Sequence, residues 1–176
     1  MRLSSLCATT LLAACSTGGG GSVNEPEIAA IAGVQENYSI TEAIAEVDRT
    51  EFGLLLNDVR NGIGGLDVVM PHDILNRVAQ DYSDDIVTSG RTIQSGDNLH
   101  VGRDGGTISD RVLGAGYDYG WVGENFAQGY DNGREVIGAW MDSTSGHREV
   151  ILAPEAEDFG IGRADSTWVL IMGAER

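Results

Sequence analysis

Apolar residues recur at helical spacing through the first half of the chain. From Ser39 onward, this spacing predicts one or two helices that end at Asn61-Gly62. Pro71 predicts the first turn of a further helix, because proline loses no hydrogen bond there, and Gly90 predicts its end. The apolar positions are Ile44, Val47, Leu54, Leu55 and Val59 in the first segment, and Ile74, Leu75, Val78, Ala79, Tyr82 and Ile86 in the second.

The second half of the chain combines short helices with strands. Gly116 ends a short helix, and alternating or continuous apolar residues indicate three strands. Helices followed by strands mixed with a helix are typical of the α+β class, in which helices pack on a small sheet. The predicted elements are helices over 109–115 and 133–141 and strands over 122–127, 159–161 and 168–172.

The first residues have the pattern of a secretion signal. Arg2 precedes an apolar run over 3–14, which is too short to span a bilayer, since that requires about 20 apolar residues. The run ends Leu-Ala-Ala before Cys15 and resembles the lipobox of bacterial lipoproteins. This resemblance implies a lipoprotein signal peptide over 1–14 and acylation of Cys15. An ordinary cleaved signal is the alternative.

A Gly/Ser-rich segment follows Cys15. The run over 16–22 has the composition of a flexible coil, and an acidic stretch follows it. We therefore expect a tether with an acidic linker or helix over 15–50, and a folded domain over 51–176. The predicted location is the cell envelope, with a lipid anchor at the outer membrane or facing the periplasm in a Gram-negative cell.

Charge limits the partners of this chain. Its 176 residues carry 11 basic and 27 acidic side chains, for a net charge of −16. Nucleic-acid binding requires a basic surface and is excluded. Every basic residue is arginine, which removes Schiff-base chemistry and a P-loop lysine. The predicted partners are a membrane, through Cys15, and an envelope or extracellular ligand. Asp104 and Arg111 are predicted to form an ordinary loop-to-helix ion pair.

Candidate chemistry centres on one glutamate and two histidines. In a strand, Glu124 shares a face with Val122 and Phe126, where a carboxylate needs an arginine, a histidine or a metal ion as its partner. His100 lies in a long Gly-rich loop, and His147 follows a predicted helix. Two imidazoles and a carboxylate suit Zn²⁺ with an open position, whereas hydrogen bonds from each histidine to nearby backbone are the alternative.

Six short motifs occur in order between residues 52 and 173. They are Asn98-Leu99-His100, Asp104-Gly105 with Asp110-Arg111, Gly123-Glu124-Asn125-Phe126-Ala127, Trp140-Met141-Asp142-Ser143, Gly146-His147-Arg148 and Phe159-Gly160-Ile161-Gly162. In this order they resemble the bacterial branch of the CAP superfamily, also called SCP-like, which is named for cysteine-rich secretory proteins, antigen 5 and pathogenesis-related 1. The resemblance implies an α-β-α sandwich, in which a small antiparallel sheet lies between helical layers.

The resemblance also implies a cavity that carries two histidines and two glutamates. His100 matches the first histidine, Glu124 the first glutamate and His147 the second histidine. Ser143 stands where animal members have the second glutamate, so the carboxylate set is one short. Asn125 is included in the cavity, although Glu124 and Asn125 also have a scaffold interpretation in which they fix the loop of His100.

Three functions are compatible with these residues. A non-catalytic binding module for a metal, lipid, glycan or protein agrees with the incomplete carboxylate set. A metal-dependent, peptidase-like hydrolase is the alternative, with Zn²⁺ on His100 and His147 and with Glu124 as ligand or general base. A serine mechanism through Ser143 or Ser145 is the third, without the Gly-x-Ser-x-Gly elbow. The sequence does not decide whether the protein is an enzyme.

Overall fold

The computed structural model describes residues 40–176, with side chains from residue 49 onward except at position 64. The predicted signal peptide, Cys15 and residues 16–39 of the predicted tether and linker lie outside the described residues, whereas residues 40–50 are helical. The elements are α1 Ile40–Val59, a π-helical turn Arg60–Gly64, β1 Met70–Pro71, α2 Asp73–Thr88, α3 Ile108–Gly114, β2 Tyr119–Gln128, α4 Gly133–Asp142, α5 His147–Ile151, β3 Asp158–Ala164 and β4 Thr167–Glu175. Among the described helices, none has the length and apolar content needed to cross a membrane.

The strands form one sheet in the order β1-β3-β4-β2. β3 and β4 form an antiparallel hairpin, and β2 pairs antiparallel with β4, so that Phe126 lies opposite Val169. β1 pairs parallel with β3 over two residues only. The predicted small antiparallel sheet is therefore confirmed for three strands. The short parallel strand was not predicted, because two residues are too few to show a period.

Helices cover both faces of this sheet. Trp168, Leu170 and Met172 of β4 pack with α1, α4 and α5, whereas Val169 and Ile171 pack with α2 and α3. Successive residues of a strand point to opposite faces, so one continuous apolar strand supplies both cores. The α+β class and the α-β-α sandwich are confirmed.

The backbone of α2 lies directly against β3. A Cβ atom added to Gly160 would be 2.1 Å from the carbonyl carbon of Leu75, and one added to Gly162 would be 2.2 Å from that of Ala79. Only glycine permits this approach of helix and strand. α2 buries its predicted apolar stripe against the sheet, and Gly90, at φ 69°, follows its end as predicted.

Side chains of α2 also cover the edge of β3 beyond the short β1. Asn76 Oδ1 accepts a hydrogen bond from the Ile161 N–H at 3.0 Å. One turn further on, Gln80 Oε1 accepts from the Arg163 N–H at 3.2 Å, and Gln80 Nε2 donates to the Arg163 carbonyl at 2.8 Å. These amides occupy the positions of a neighbouring strand, so the edge of β3 is not open for pairing with another chain.

Arg60 connects the π-helical turn to the segment that follows α5. Its guanidinium donates to the carbonyls of Ile151, Ala153 and Ala156 at 2.7, 3.0 and 3.3 Å, and to that of Asp67 at 3.2 Å. Only 1% of the residue is exposed. Burial lowers the pKa of the Arg60 guanidinium, and the Asp67 carboxylate partly opposes that shift. No sequence pattern distinguishes this arginine from those at the surface.

Two details of the predicted helices are wrong. Leu54 was expected on the apolar stripe of α1 but is 70% exposed, and the buried pair one turn apart is Phe52 and Leu56. Pro71 does not open α2, because it lies in β1. His72 follows it in an extended conformation and caps the helix, with Nδ1 accepting a first-turn N–H.

Candidate functional site

Glu124 lies on the edge strand β2, on the face that α2 and α3 cover. Phe126 belongs to the core on that face, and Val122 packs against it, so the predicted alternation of this strand is confirmed. Only 2% of the Glu124 side chain is exposed. A carboxylate this deeply buried is costly unless it is paired, so its neighbours determine its chemistry.

Arg111 of α3 is the ion-pair partner of Glu124. Its Nη2 lies 2.6 Å from Glu124 Oε1, and its Nη1 donates to the Gly106 carbonyl at 3.2 Å. The guanidinium carbon lies 3.6 Å from the centroid of the Tyr82 ring. The predicted ion pair between Asp104 and Arg111 is therefore wrong. Asp104 instead accepts a hydrogen bond from the Gly106 N–H within its own turn.

Two side chains hold the main chain of the loop that carries His100. Arg91 Nη2 donates to the Asn98 carbonyl at 2.6 Å, and the Tyr82 hydroxyl donates to the Leu99 carbonyl at 2.8 Å. Tyr82 thus contacts the Arg111 guanidinium through its ring and the loop of His100 through its hydroxyl. These bonds fix the loop beside the Glu124–Arg111 pair.

The His100 side chain lies over the buried carboxylate. Its Nδ1 is 3.4 Å from Glu124 Oε2, and its ring meets the Phe126 ring edge-on with centroids 4.9 Å apart. The His100 side chain is 56% exposed. The prediction that Glu124 requires an arginine, a histidine or a metal is thus met by an arginine and an adjacent histidine.

His147 is held from two sides at the start of α5. Ser143 Oγ lies 2.9 Å from His147 Nδ1, and Asn125 Nδ2 donates to the His147 carbonyl at 2.9 Å. Gly146 has φ 92°, a conformation that favours glycine and turns the chain into α5. Asn125 therefore fixes the main chain at His147 and not the loop of His100, since it points to the face of β2 opposite to that of Glu124.

The two histidines are within electrostatic reach of each other. Burial lowers the pKa of His147 below its usual value, and the charge of His100 lowers it further, while Glu149 opposes the shift. The direction of this shift favours the neutral form of the His147 imidazole. Among the described residues, no carboxylate lies within hydrogen-bonding distance of this ring, so Ser143 and His147 have no third member of a catalytic triad.

A groove with a volume of about 730 Å³ lies beside the Ser143–His147 pair. Its lining includes the end of α2, the loop after it, the end of β2, α4 and the turn between β3 and β4. Phe126 lines this groove and also contacts the His100 ring, so it lies between the two parts of the candidate site. Glu124 and His100 do not line the groove.

The predicted Zn²⁺ ligands do not fit a three-ligand metal site as they are arranged. Among residues 49–176, no group of three His, Cys, Asp or Glu side chains is placed to hold a metal ion. Glu124 Oε1 is bonded to Arg111, which leaves only Oε2 of this carboxylate for a cation. Structural and catalytic zinc sites use at least three protein ligands.

The sequence did not identify Arg111, Tyr82 and Arg91 as members of the site. A glutamate in an apolar strand required a cation, and without lysine that cation had to be an arginine or a histidine. Nothing in the spacing selects among the arginines of this chain. The choice depends on α3 packing beside β2, which is a tertiary contact.

The chain matches the model of a known family. Residues 55–171 match the family model described as "CAP: Cysteine-rich secretory protein family". Over 61 residues the chain is 39% identical to the uncharacterised protein YkwD of Bacillus subtilis. That alignment covers 35% of this chain and only 23% of the relative's length.

Solved structures of similar fold come from three other bacteria. An outer surface protein of Borrelia burgdorferi superposes with a TM-score of 0.64 at 19% identity, over 73% of this chain and 93% of that one. An extracellular protein of Bacillus anthracis that contains an SCP domain gives 0.62 at 17% identity, over 80% of this chain and 45% of that one. A cysteine-rich secretory protein of Staphylococcus aureus gives 0.55 at 15% identity, over 72% and 38%. At these identities the likeness establishes the fold alone.

Proposed function

Because this chain belongs to the cysteine-rich secretory protein (CAP) family, we propose that its folded domain is a non-catalytic binding module of the cell envelope. The module binds its ligand in the groove beside Ser143 and His147. The lipid on Cys15 holds it at a membrane, and the Gly/Ser-rich run over 16–22 is its tether. Family membership supplies the fold, and the residues of this chain supply the argument against catalysis.

The proposal rests on the burial of Glu124 and on its pairing with Arg111. A general base must reach the proton that it removes, directly or through one water. Glu124 is 2% exposed, its Oε1 is 2.6 Å from the Arg111 guanidinium, and the His100 ring lies over its Oε2. Such a carboxylate stabilises the loop and the sheet edge, which supports its scaffold interpretation.

The groove has the size and the surface of a ligand site. Its volume of about 730 Å³ falls within the range of roughly 300–1,000 Å³ that is usual for small-molecule sites. Phe126 and Trp140 give its lining apolar surface, while His147 and Gln128 bring polar groups to it. Apolar surface with a few placed polar groups is the usual composition of a binding site.

The similar proteins support an envelope or extracellular location. One of them is an outer surface protein and another is an extracellular protein. The predicted lipobox at Cys15 gives this chain a means of attachment, because two or more acyl chains hold a protein stably on a membrane. The charge of −16 disfavours adhesion to anionic lipid headgroups, so attachment depends on the lipid.

The proposal predicts saturable binding without turnover. With the Cys15→Ser chain we expect at least one of three probes, an N-acetylglucosamine oligomer, a mixed peptide library or phosphatidylethanolamine vesicles, to shift amide resonances of Ile93, Gln128 and His147. Ala139→Trp places a large side chain in the groove lining and is expected to weaken that binding at least tenfold. Nuclear magnetic resonance titration measures both effects.

Gly138→Trp is the matched control for this test. Gly138 is exposed on the same helix, is absent from the groove lining, and has no atom within 4 Å of an added Cβ. It is expected to leave binding unchanged. Peptide or glycan cleavage that His147→Ala or Glu124→Gln abolishes would contradict the non-catalytic proposal. If none of the probes shifted the groove resonances, the groove would be excluded as their binding site.

Cys15→Ser is expected to move the protein from the membrane fraction to the soluble fraction. The physical reason is that each buried CH₂ of an acyl chain contributes about 0.8 kcal/mol to membrane affinity, and the substitution removes every chain. Ultracentrifugation with detection by immunoblot measures the distribution, and Cys7→Ser serves as the matched control. A Cys15→Ser chain that still sediments with membranes argues against the lipid anchor.

A further inference from the structure

The buried carboxylate of Glu124 requires a cation, and the fold supplies one. Transfer of an ionised carboxylate from water to a buried site is strongly unfavourable without a paired positive charge. Glu124 has 2% of its side chain exposed, so it requires such a charge nearby. The Arg111 Nη2 at 2.6 Å from Oε1 provides it.

The protein holds Arg111 in place from three directions. Besides Glu124, its guanidinium bonds the Gly106 carbonyl at 3.2 Å and lies over the Tyr82 ring at 3.6 Å. Only 16% of the Arg111 side chain is exposed. The guanidinium is planar and rigid, so it loses little side-chain entropy for each hydrogen bond that it forms. Stacking on an aromatic ring adds a cation–π attraction.

Little of the site is left for a metal ion. Glu124 Oε2 is buried without a hydrogen bond from any described residue, and His100 Nδ1 is 3.4 Å away. These two atoms give at most two ligands, and among the described residues no third His, Cys, Asp or Glu side chain is placed to complete a metal site. A dication at Oε2 would also lie close to the Arg111 guanidinium, and like charges at such distances repel strongly in a buried site.

We propose that Arg111 is the resident cation beside Glu124 and that it excludes a divalent metal ion from this carboxylate. It is a positioning residue, because it acts through the carboxylate of Glu124 and, by way of Tyr82, through the loop of His100. The inference rests on the proposed function only in that Phe126 joins the Glu124–His100 region to the groove that is proposed to bind the ligand.

The test compares Zn²⁺ and Co²⁺ binding by the Cys15→Ser chain with and without Arg111. Isothermal titration and the visible spectrum of Co²⁺ measure stoichiometry, affinity and ligand geometry. We expect no saturable one-to-one binding by the parent chain or by Arg111→Lys, which keeps the charge. Arg111→Met exposes an unpaired carboxylate beside His100, and we expect it to bind Zn²⁺ at least tenfold more tightly than the parent.

Further variants test whether the gain in Zn²⁺ affinity of Arg111→Met depends on Glu124 and His100. Adding Glu124→Gln or His100→Ala to Arg111→Met is expected to remove it, whereas a purely structural role of Arg111 would lower stability without creating a metal site. The inference is overturned if the parent chain binds Zn²⁺ one-to-one and Glu124→Gln weakens that binding tenfold. It is also overturned if folded Arg111→Met shows no gain.

The parent-chain titration can overturn the inference even if Arg111→Met does not fold, since it requires no variant at Arg111. Its outcome is independent of the groove titrations with oligosaccharide, peptide and vesicles. Failure of the metal inference and failure of the proposed binding function are therefore distinguishable.

Discussion

Gly162→Ala is expected to destabilise the domain by about 3 kcal/mol or more, the upper end of the usual cost of overpacking a core. A Cβ at this position would lie 2.2 Å from both the carbonyl carbon and the carbonyl oxygen of Ala79. These are backbone atoms of α2, so no side-chain rotation relieves the overlap. α2 would have to move away from β3, and the hydrogen bonds from Gln80 to Arg163 would lengthen with it.

Thermal unfolding followed by circular dichroism measures this effect. A loss of about 3 kcal/mol corresponds to a decrease in Tm of roughly 10 °C in a domain of this size. Gly138→Ala is the matched control, because Gly138 lies exposed inside α4 with open space around it. That change is expected to be neutral or to stabilise by up to about 1 kcal/mol, as alanine favours helix more than glycine does. Equal Tm values for the two variants would show that α2 does not lie against β3 as described.

Arg60→Met is expected to cost about 3 kcal/mol of stability, because each buried polar group left without a partner costs roughly 1–3 kcal/mol. Methionine fills much of the same volume but donates no hydrogen bond. The carbonyls of Ile151, Ala153 and Ala156, all bonded to Arg60, would lose that donor together. The π-helical turn would then lose its connection to the segment after α5.

Urea denaturation provides the measurement for Arg60. Arg60→Lys retains the charge and up to three donors, and it is expected to recover part of the lost stability. Arg134→Met is the matched control, since Arg134 is exposed on α4 and its removal is expected to change stability by less than about 0.5 kcal/mol. A midpoint for Arg60→Met that equals that of Arg134→Met would contradict the structural role of the buried guanidinium.

The two predictions concern one residue that lies in a sequence motif and one that does not. Gly162 belongs to a quoted motif, Phe159-Gly160-Ile161-Gly162, whose alternation predicted a strand. The structure adds the reason for both glycines, which is contact with the α2 backbone. Arg60 belongs to no motif, and its importance follows only from its burial.

The candidate site shows the same division. Alternation along β2 placed Glu124 on an apolar face and thereby required a cation near it. Which cation it is depended on α3, because Arg111 is 13 residues away along the chain and reaches Glu124 only after both elements pack. As histidines, His100 and His147 indicated a shared site. The hydrogen bond between Ser143 and His147 and the position of the groove could not be deduced from spacing.

By itself, the sequence determined what depends on local periodicity and composition. The order of most helices and strands, the α+β class and the apolar stripe of α2 all follow from patterns within a few residues. The tertiary structure alone decided the ion pair at Glu124, the carbonyls around Arg60, the parallel strand β1 and the contact of α2 with the β3 glycines. Each of these joins residues that are distant along the chain, and packing selects among several partners of the same chemical type that local sequence cannot distinguish.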